Sequence, residues 1–82
     1  MNESIDLLQR HFGLSSAEAR LALRLVEGDA LQSAAVKLNI SYETARSRLK
    51  NIFHKTRTHR QAELVVVIVS VLPDCLKVAA AS

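Results

Sequence analysis

Apolar residues recur every three or four positions along most of this chain, which is the period of helices with one buried face. Ile5, Leu7, Leu8 and Phe12 predict a short amphipathic helix over residues 3–12, stopped by Gly13. Ser15 and Glu18 have the spacing of a capping box, in which each side chain satisfies a free N–H of a helix first turn. Leu14 stands just before that cap, where it can staple onto Ala19. Leu21, Ala22, Leu25 and Val26 continue the period, and Gly28 supplies a left-handed stop, so a second helix is expected over 16–27. A third helix, 31–38, turns Ala34, Ala35 and Leu38 inward, and the small alanines let another helix come close.

Asn39 can take the tight corner that follows, because Asn tolerates positive φ better than most residues with a Cβ. Ile40 is then expected to plug the core between two helices. Ser41 caps a fourth helix running to Thr56. One face of it holds Ala45, Leu49, Ile52 and Phe53; the other holds Glu43, Arg46, Ser47, Lys50 and His54. Two helices joined by this short corner make a helix-turn-helix, whose second helix enters a DNA major groove. The period then breaks. Leu64 to Val69 is an uninterrupted apolar run rich in β-branched residues, which read alone is a strand. Pro73 ends the segment that starts near Arg60. The chain thus divides into an N-terminal helix or linker remnant (1–13), one domain (14–72) and a short C-terminal tail (73–82).

Composition narrows the class. Eighty-two residues make one domain near the lower end of what folds alone, and an apolar share of 49% is too high for a disordered chain. There is no Trp, so the core must come from Leu, Val, Ile and Ala, and a contact between copies would add to its small stability. The net charge of +3 is unevenly placed: residues 41–60 carry six basic groups against Glu43 alone. Residues 1–40 and 61–82 are each net −1. Charge concentrated in this way has the form of a nucleic-acid footprint, although a solvated helix face has the same composition.

Other chemistry has little support. The lone Cys75 cannot pair within the chain and fits a reduced cytoplasm, and no apolar run is long enough to span a bilayer. Residues 1–13 intersperse Glu3, Asp6, Arg10 and His11 among apolar positions, unlike a secretory leader. His11, His54, His59 and Cys75 match no zinc spacing. Ser15, Ser16 and Ser41 read as caps, since no histidine and acid accompany them as a catalytic set. We expect no enzyme activity, cofactor or metal.

From Phe12 to Val65, about two-thirds of the chain, the sequence resembles the DNA-binding domain of LuxR-type (GerE- or FixJ-type) bacterial transcription regulators. The residues that carry the likeness are Leu14-Ser15-x-x-Glu18, Glu27-Gly28, and Ala35-x-x-Leu38-x-Ile40-Ser41-x-x-Thr44-x-Arg46-x-x-Leu49-x-x-Ile52-Phe53-x-Lys55-Thr56. Arg60-Gln61-x-Glu63-Leu64-Val65 completes it.

The resemblance implies an all-α bundle with a central helix-turn-helix: four core helices at 16–27, 31–38, 42–56 and 60–72, plus the short N-terminal helix. The Val-rich run then becomes a helix, buried on one side by the domain and on the other by a second copy. By position, base contacts fall on Arg46, Ser47 and Lys50; phosphate contacts fall on Ser41, Tyr42, Thr44, Arg48 and Lys55; a homodimer contact falls on Leu64, Val67, Ile68 and Val71. Helical geometry agrees for Arg46 and Lys50, one turn apart on the exposed face. The implied partners are double-stranded DNA, a second copy, and RNA polymerase or a sensor domain, with no membrane. Family members usually have Gly at Asn39, Val at Ala45, His at Arg48 and Gly at Arg57.

Two other readings remain open. Thr44-Ala45-Arg46-Ser47-Arg48-Leu49 is also similar to promoter-reading domains of sigma factors. The apolar fifth segment also suits a protein-interaction module that has lost DNA binding.

Overall fold

The computed structural model describes residues 3–72; residues 1–2 and the tail 73–82, with Pro73 and Cys75, lie outside the described residues. Five helices follow one another: α1 (Glu3–Phe12), α2 (Ser16–Val26), α3 (Leu31–Lys37), α4 (Tyr42–Thr56) and α5 (Gln61–Val71). The fold is all-α, and no strand occurs among the described residues.

α2 is the centre of the bundle and packs against each of the other four helices. Its inward residues, Ala19, Leu21, Ala22, Leu25 and Val26, meet Leu8 of α1, Ala34 of α3, Leu49 and Ile52 of α4, and Leu64 and Ile68 of α5 in one cluster. Leu8 is fully buried, so α1 belongs to this core and is not a mere lead-in. The capping box starts α2 as expected: Glu18 N–H donates to Ser15 Oγ at 3.1 Å, and Ser15 N–H donates to Glu18 Oε1 at 2.8 Å. Ala34 and Ala35 of α3 are buried and Leu38 packs against the core. Ile40 departs from expectation. It is half-buried and stands outside the core cluster, while its N–H closes the end of α3 on Ala35 O at 3.0 Å.

Three helices stop in the same way. Each is followed by a left-handed residue: Gly28 after α2, Asn39 after α3 and Arg57 after α4. Each turn pairs a bond between residues three apart with one between residues five apart. For α4 these are Arg57 N–H to His54 O at 3.4 Å and Thr58 N–H to Phe53 O at 3.0 Å. This is a Schellman closure, which satisfies carbonyls the helix leaves free. Glycine is the easy residue there; Asn39, at φ 58°, is the next best. Arg57, at φ 57°, carries a full side chain into strained backbone. Arg57→Gly is therefore expected to stabilise the fold by about 0.5–1 kcal/mol, less than the full left-handed penalty because glycine also loosens the unfolded chain. A urea or thermal melt measures this, and a lower midpoint in the variant would contradict it.

α5 overrides its local preference. Its six β-branched residues each cost a helix about 0.5 kcal/mol against alanine, about 3 kcal/mol together. Leu64 and Ile68, four residues apart, drop fully buried into the core, which contributes about 3–6 kcal/mol. A strand here would find no partner strand among the described residues, leaving its N–H and C=O groups unpaired. A helix satisfies them internally.

Candidate nucleic-acid interface

α4 is positioned from both ends and from below. At its start, Ser41 Oγ accepts from Thr44 N–H at 3.1 Å and donates to Thr44 Oγ1 at 2.8 Å. At its end, Thr56 Oγ1 donates to Ile52 O at 2.8 Å and pairs with Thr58 Oγ1 at 2.8 Å, so both buried threonines are satisfied. Underneath, Ala45, Leu49 and Ile52 seat the helix on α2 and α3. Phe53 is half-buried at the edge of that face.

One ion pair ties α4 to the first turn of α2. Lys55 Nζ donates to Glu18 Oε1 at 2.7 Å, and the glutamate side chain is 8% exposed against 37% for the lysine. Burial pushes the Glu18 carboxyl up. The Lys55 hydrogen bond, the Ser15 N–H and the nearby ammonium charge pull it down, and the net position lies below the ordinary glutamate value. The capping box and the ion pair thus share a single carboxylate oxygen.

The outward face of α4 is as the periodicity expects: Glu43, Arg46, Ser47, Lys50 and His54 are all exposed. Arg46, Ser47 and Lys50 line one open groove together with Tyr42, Glu43, Phe53 and, from the start of α3, Leu31. The Arg46 guanidinium carbon lies 6.0 Å from the centre of the Tyr42 ring, at the outer limit of a cation–π contact. Neither Arg46 nor Lys50 joins an ion pair among the described residues. Their charge faces outward uncompensated.

The five residues expected at phosphates separate into three places. Ser41, Tyr42 and Thr44 stand exposed at the start of α4. Ser41 gives its hydroxyl proton to Thr44, so the Thr44 hydroxyl is the donor left for an outside acceptor. Arg48 is half-buried on the opposite shoulder of α4 from Arg46, two residues or about 200° round the helix. It shares a shallow hollow with Arg20, Ser16 and Ala17 of α2. Lys55 is the third case: its ammonium is held by Glu18, so it offers an outside anion less charge than a free lysine.

The inner face of α5 takes two residues expected between copies. Leu64 and Ile68, expected in a contact between copies, are fully buried inside the chain itself. The core takes both because they are the one pair, four residues apart, that faces α2. Val67 and Val71 are half-buried, and Val66, 69% exposed, stands on the opposite side of α5 from Leu64 and Ile68.

Glu43 and His54, placed on the polar face by periodicity, were given no role by the sequence, and Arg57 and His59 were not grouped with them. Glu43 shares the groove with Arg46 and Lys50. His54, Arg57 and His59 line a second groove with Lys50 and Lys55 at the C-terminal end of α4. Glu43 was detectable, since Glu43, Lys50 and His54 follow one another along a single helical line. His59 was not, because the turn after Arg57 decides where it lies.

No helix among the described residues is long and apolar enough to cross a membrane. No group of three or more His, Cys, Asp or Glu side chains among them could hold a metal ion. Fold and site together define a small all-helical domain that presents one exposed, mainly basic helix face. Comparison with protein-family models, curated proteins and solved structures gives no match.

Proposed function

We propose that this protein binds double-stranded DNA sequence-selectively, as a transcription regulator of the LuxR type. In this reading α3 and α4 act as a helix-turn-helix, with α4 in the major groove and a second copy joined through α5. The observation that carries it is the outward face of α4. Arg46, Ser47 and Lys50 are exposed, line one groove and, among the described residues, engage no side chain through an ion pair or hydrogen bond, while the opposite face of the same helix is buried. Asp6–Arg10 and Arg24–Glu27 pair at three or four residues' spacing on α1 and at the end of α2, whereas Glu43 and Arg46 on α4 do not. The LuxR-type residues and the exposed Val66 on α5 add support for a twofold arrangement.

Arginine binds guanine O6 and N7 bidentately, and lysine reaches the same edge. Phosphate contacts from Thr44, Arg48 and the C-terminal groove would supply affinity without sequence preference. The test is selection from a randomised duplex pool at several salt concentrations. Enrichment of an inverted repeat, with affinity falling steeply as salt rises, is the expected result. Arg46→Ala is expected to cut the preference for the selected site over random duplex by about 10-fold or more, with helicity unchanged. Absence of salt-dependent binding to any duplex would overturn the proposal and favour a protein-interaction module. Binding only together with core RNA polymerase, without dimerisation, would favour the sigma-like reading.

A further inference from the structure

We infer that Glu43 reads a base, selecting cytosine at one position of each half-site; this rests on the DNA-binding function proposed above. Most acidic side chains of the described residues have a partner. Among the described residues, Asp6, Glu18, Glu27 and Asp29 each pair with a basic side chain. Glu63 accepts the His59 N–H at 2.9 Å. That leaves Glu3, which opens the described chain, and Glu43. Glu43 has Arg46 three residues on and shares a groove with Arg46 and Lys50, yet it pairs with neither. Both arginine and carboxylate stand exposed and uncommitted on one wall.

A carboxylate there opposes simple electrostatic binding, because it faces a polyanion from the middle of a basic patch. It is compensated only by a hydrogen-bond donor of the duplex. In the major groove cytosine offers its N4–H2 group with no acceptor of its own base beside it, and a glutamate accepts from that group. Adenine also has an exocyclic amine, but its N7 acceptor lies alongside and repels a carboxylate. Guanine and thymine present acceptors at the same depth. Glu43 occupies the first turn of α4, and the N-terminal residues of a recognition helix are the ones that reach base edges. Arg46, about one turn further along the same face, takes guanine. The groove therefore demands a donor and an acceptor in fixed order, and Glu43 rejects the other three bases at its position.

The competing role for an acidic residue in a first turn is to complement the helix dipole. The two roles separate on substitution by glutamine, which keeps the shape, loses the charge, and prefers adenine through its N6 and N7 edge. The randomised duplex selection is run on the wild-type chain and on Glu43→Gln, with a thermal melt of each. The expected result is a wild-type preference of about 10-fold for cytosine at one position of each half-site. In Glu43→Gln that position changes to adenine, every other position keeps its preference, and the melting temperature moves by only a few degrees. An identical motif from both proteins would overturn the role of Glu43 while leaving DNA recognition standing. If the wild-type chain selects no motif at all, the DNA reading fails and the inference falls with it.

Discussion

Ile68→Asp is expected to unfold this protein, and Val66→Asp is not. Ile68 is fully buried in the cluster built on α2 and has no polar neighbour in that cluster to receive a carboxylate. An unpaired charge there costs several kcal/mol even after the group neutralises itself by taking up a proton. Loss of the isoleucine's packing adds about 2–5 kcal/mol. The sum matches or exceeds the whole stability of a domain of this size, about 5 kcal/mol or somewhat more. Circular dichroism should therefore show most helical signal lost at 25 °C. Val66, two residues earlier and 69% exposed, can accept a charge into water. Its variant should keep its helicity and melt within a few degrees of the parent. If copies meet on the outer face of α5, sedimentation should show the Val66→Asp chain shifted to monomer. A folded, monomeric Ile68→Asp protein would instead place Ile68 at a contact between copies and refute the packing described above.

Glu18→Ala is expected to cost about 2–3 kcal/mol, a fall in melting temperature of about 10–20 °C for a domain of this length. One oxygen of this side chain closes the α2 capping box and receives the Lys55 ammonium at 2.7 Å. Its removal therefore frays the first turn of the central helix and detaches the end of α4 together. The value lies below that of a fully buried ion pair because the lysine is 37% exposed and water screens it. The carboxyl titrates below its ordinary value in the folded state, so it stabilises the fold at neutral pH. That contribution is lost as pH falls through the lowered folded-state value. Glu18→Gln should be less stable than the parent at pH 7, and the gap should close on acidification. A gap constant from pH 7 to pH 3, or a Glu18→Ala cost within 0.5 kcal/mol of zero, would show the pair to be ornamental.

The same pair changes how Lys55 acts. By resemblance it is a free phosphate contact, but its ammonium lies against Glu18. Its substitution would disturb the seat of α4 as well as any anion above it. Nothing in the local sequence reveals this, since the two residues are 37 positions apart.

Much of the fold was legible. The four periodic helices lie within a residue or two of their expected limits, since their signals are local: a capping box at Ser15 and Glu18, left-handed stops at Gly28 and Asn39, and stripes three and four residues apart. Arg46, Ser47 and Lys50 share a face because helical geometry alone puts them there. The failures are of another kind. Leu64 to Val69 is apolar on every side, so periodicity could not say which side the core would take. Ile40 was expected deeper than it lies, because its neighbour's left-handed turn carries it to the margin of the bundle.

What the sequence determined by itself was therefore the helical segments, their capped ends, and the basic outward face of α4. Each depends on residues within about one turn of one another, where hydrogen bonds and side-chain spacing act without long-range help. Local sequence favoured a strand for the β-branched run and only the family likeness implied a helix; tertiary structure decided that Leu64 and Ile68 serve the core and that Lys55 is held by Glu18. Those outcomes depend on residues far apart in the chain meeting in a space of fixed shape, where burial outweighs local preference by a few kcal/mol.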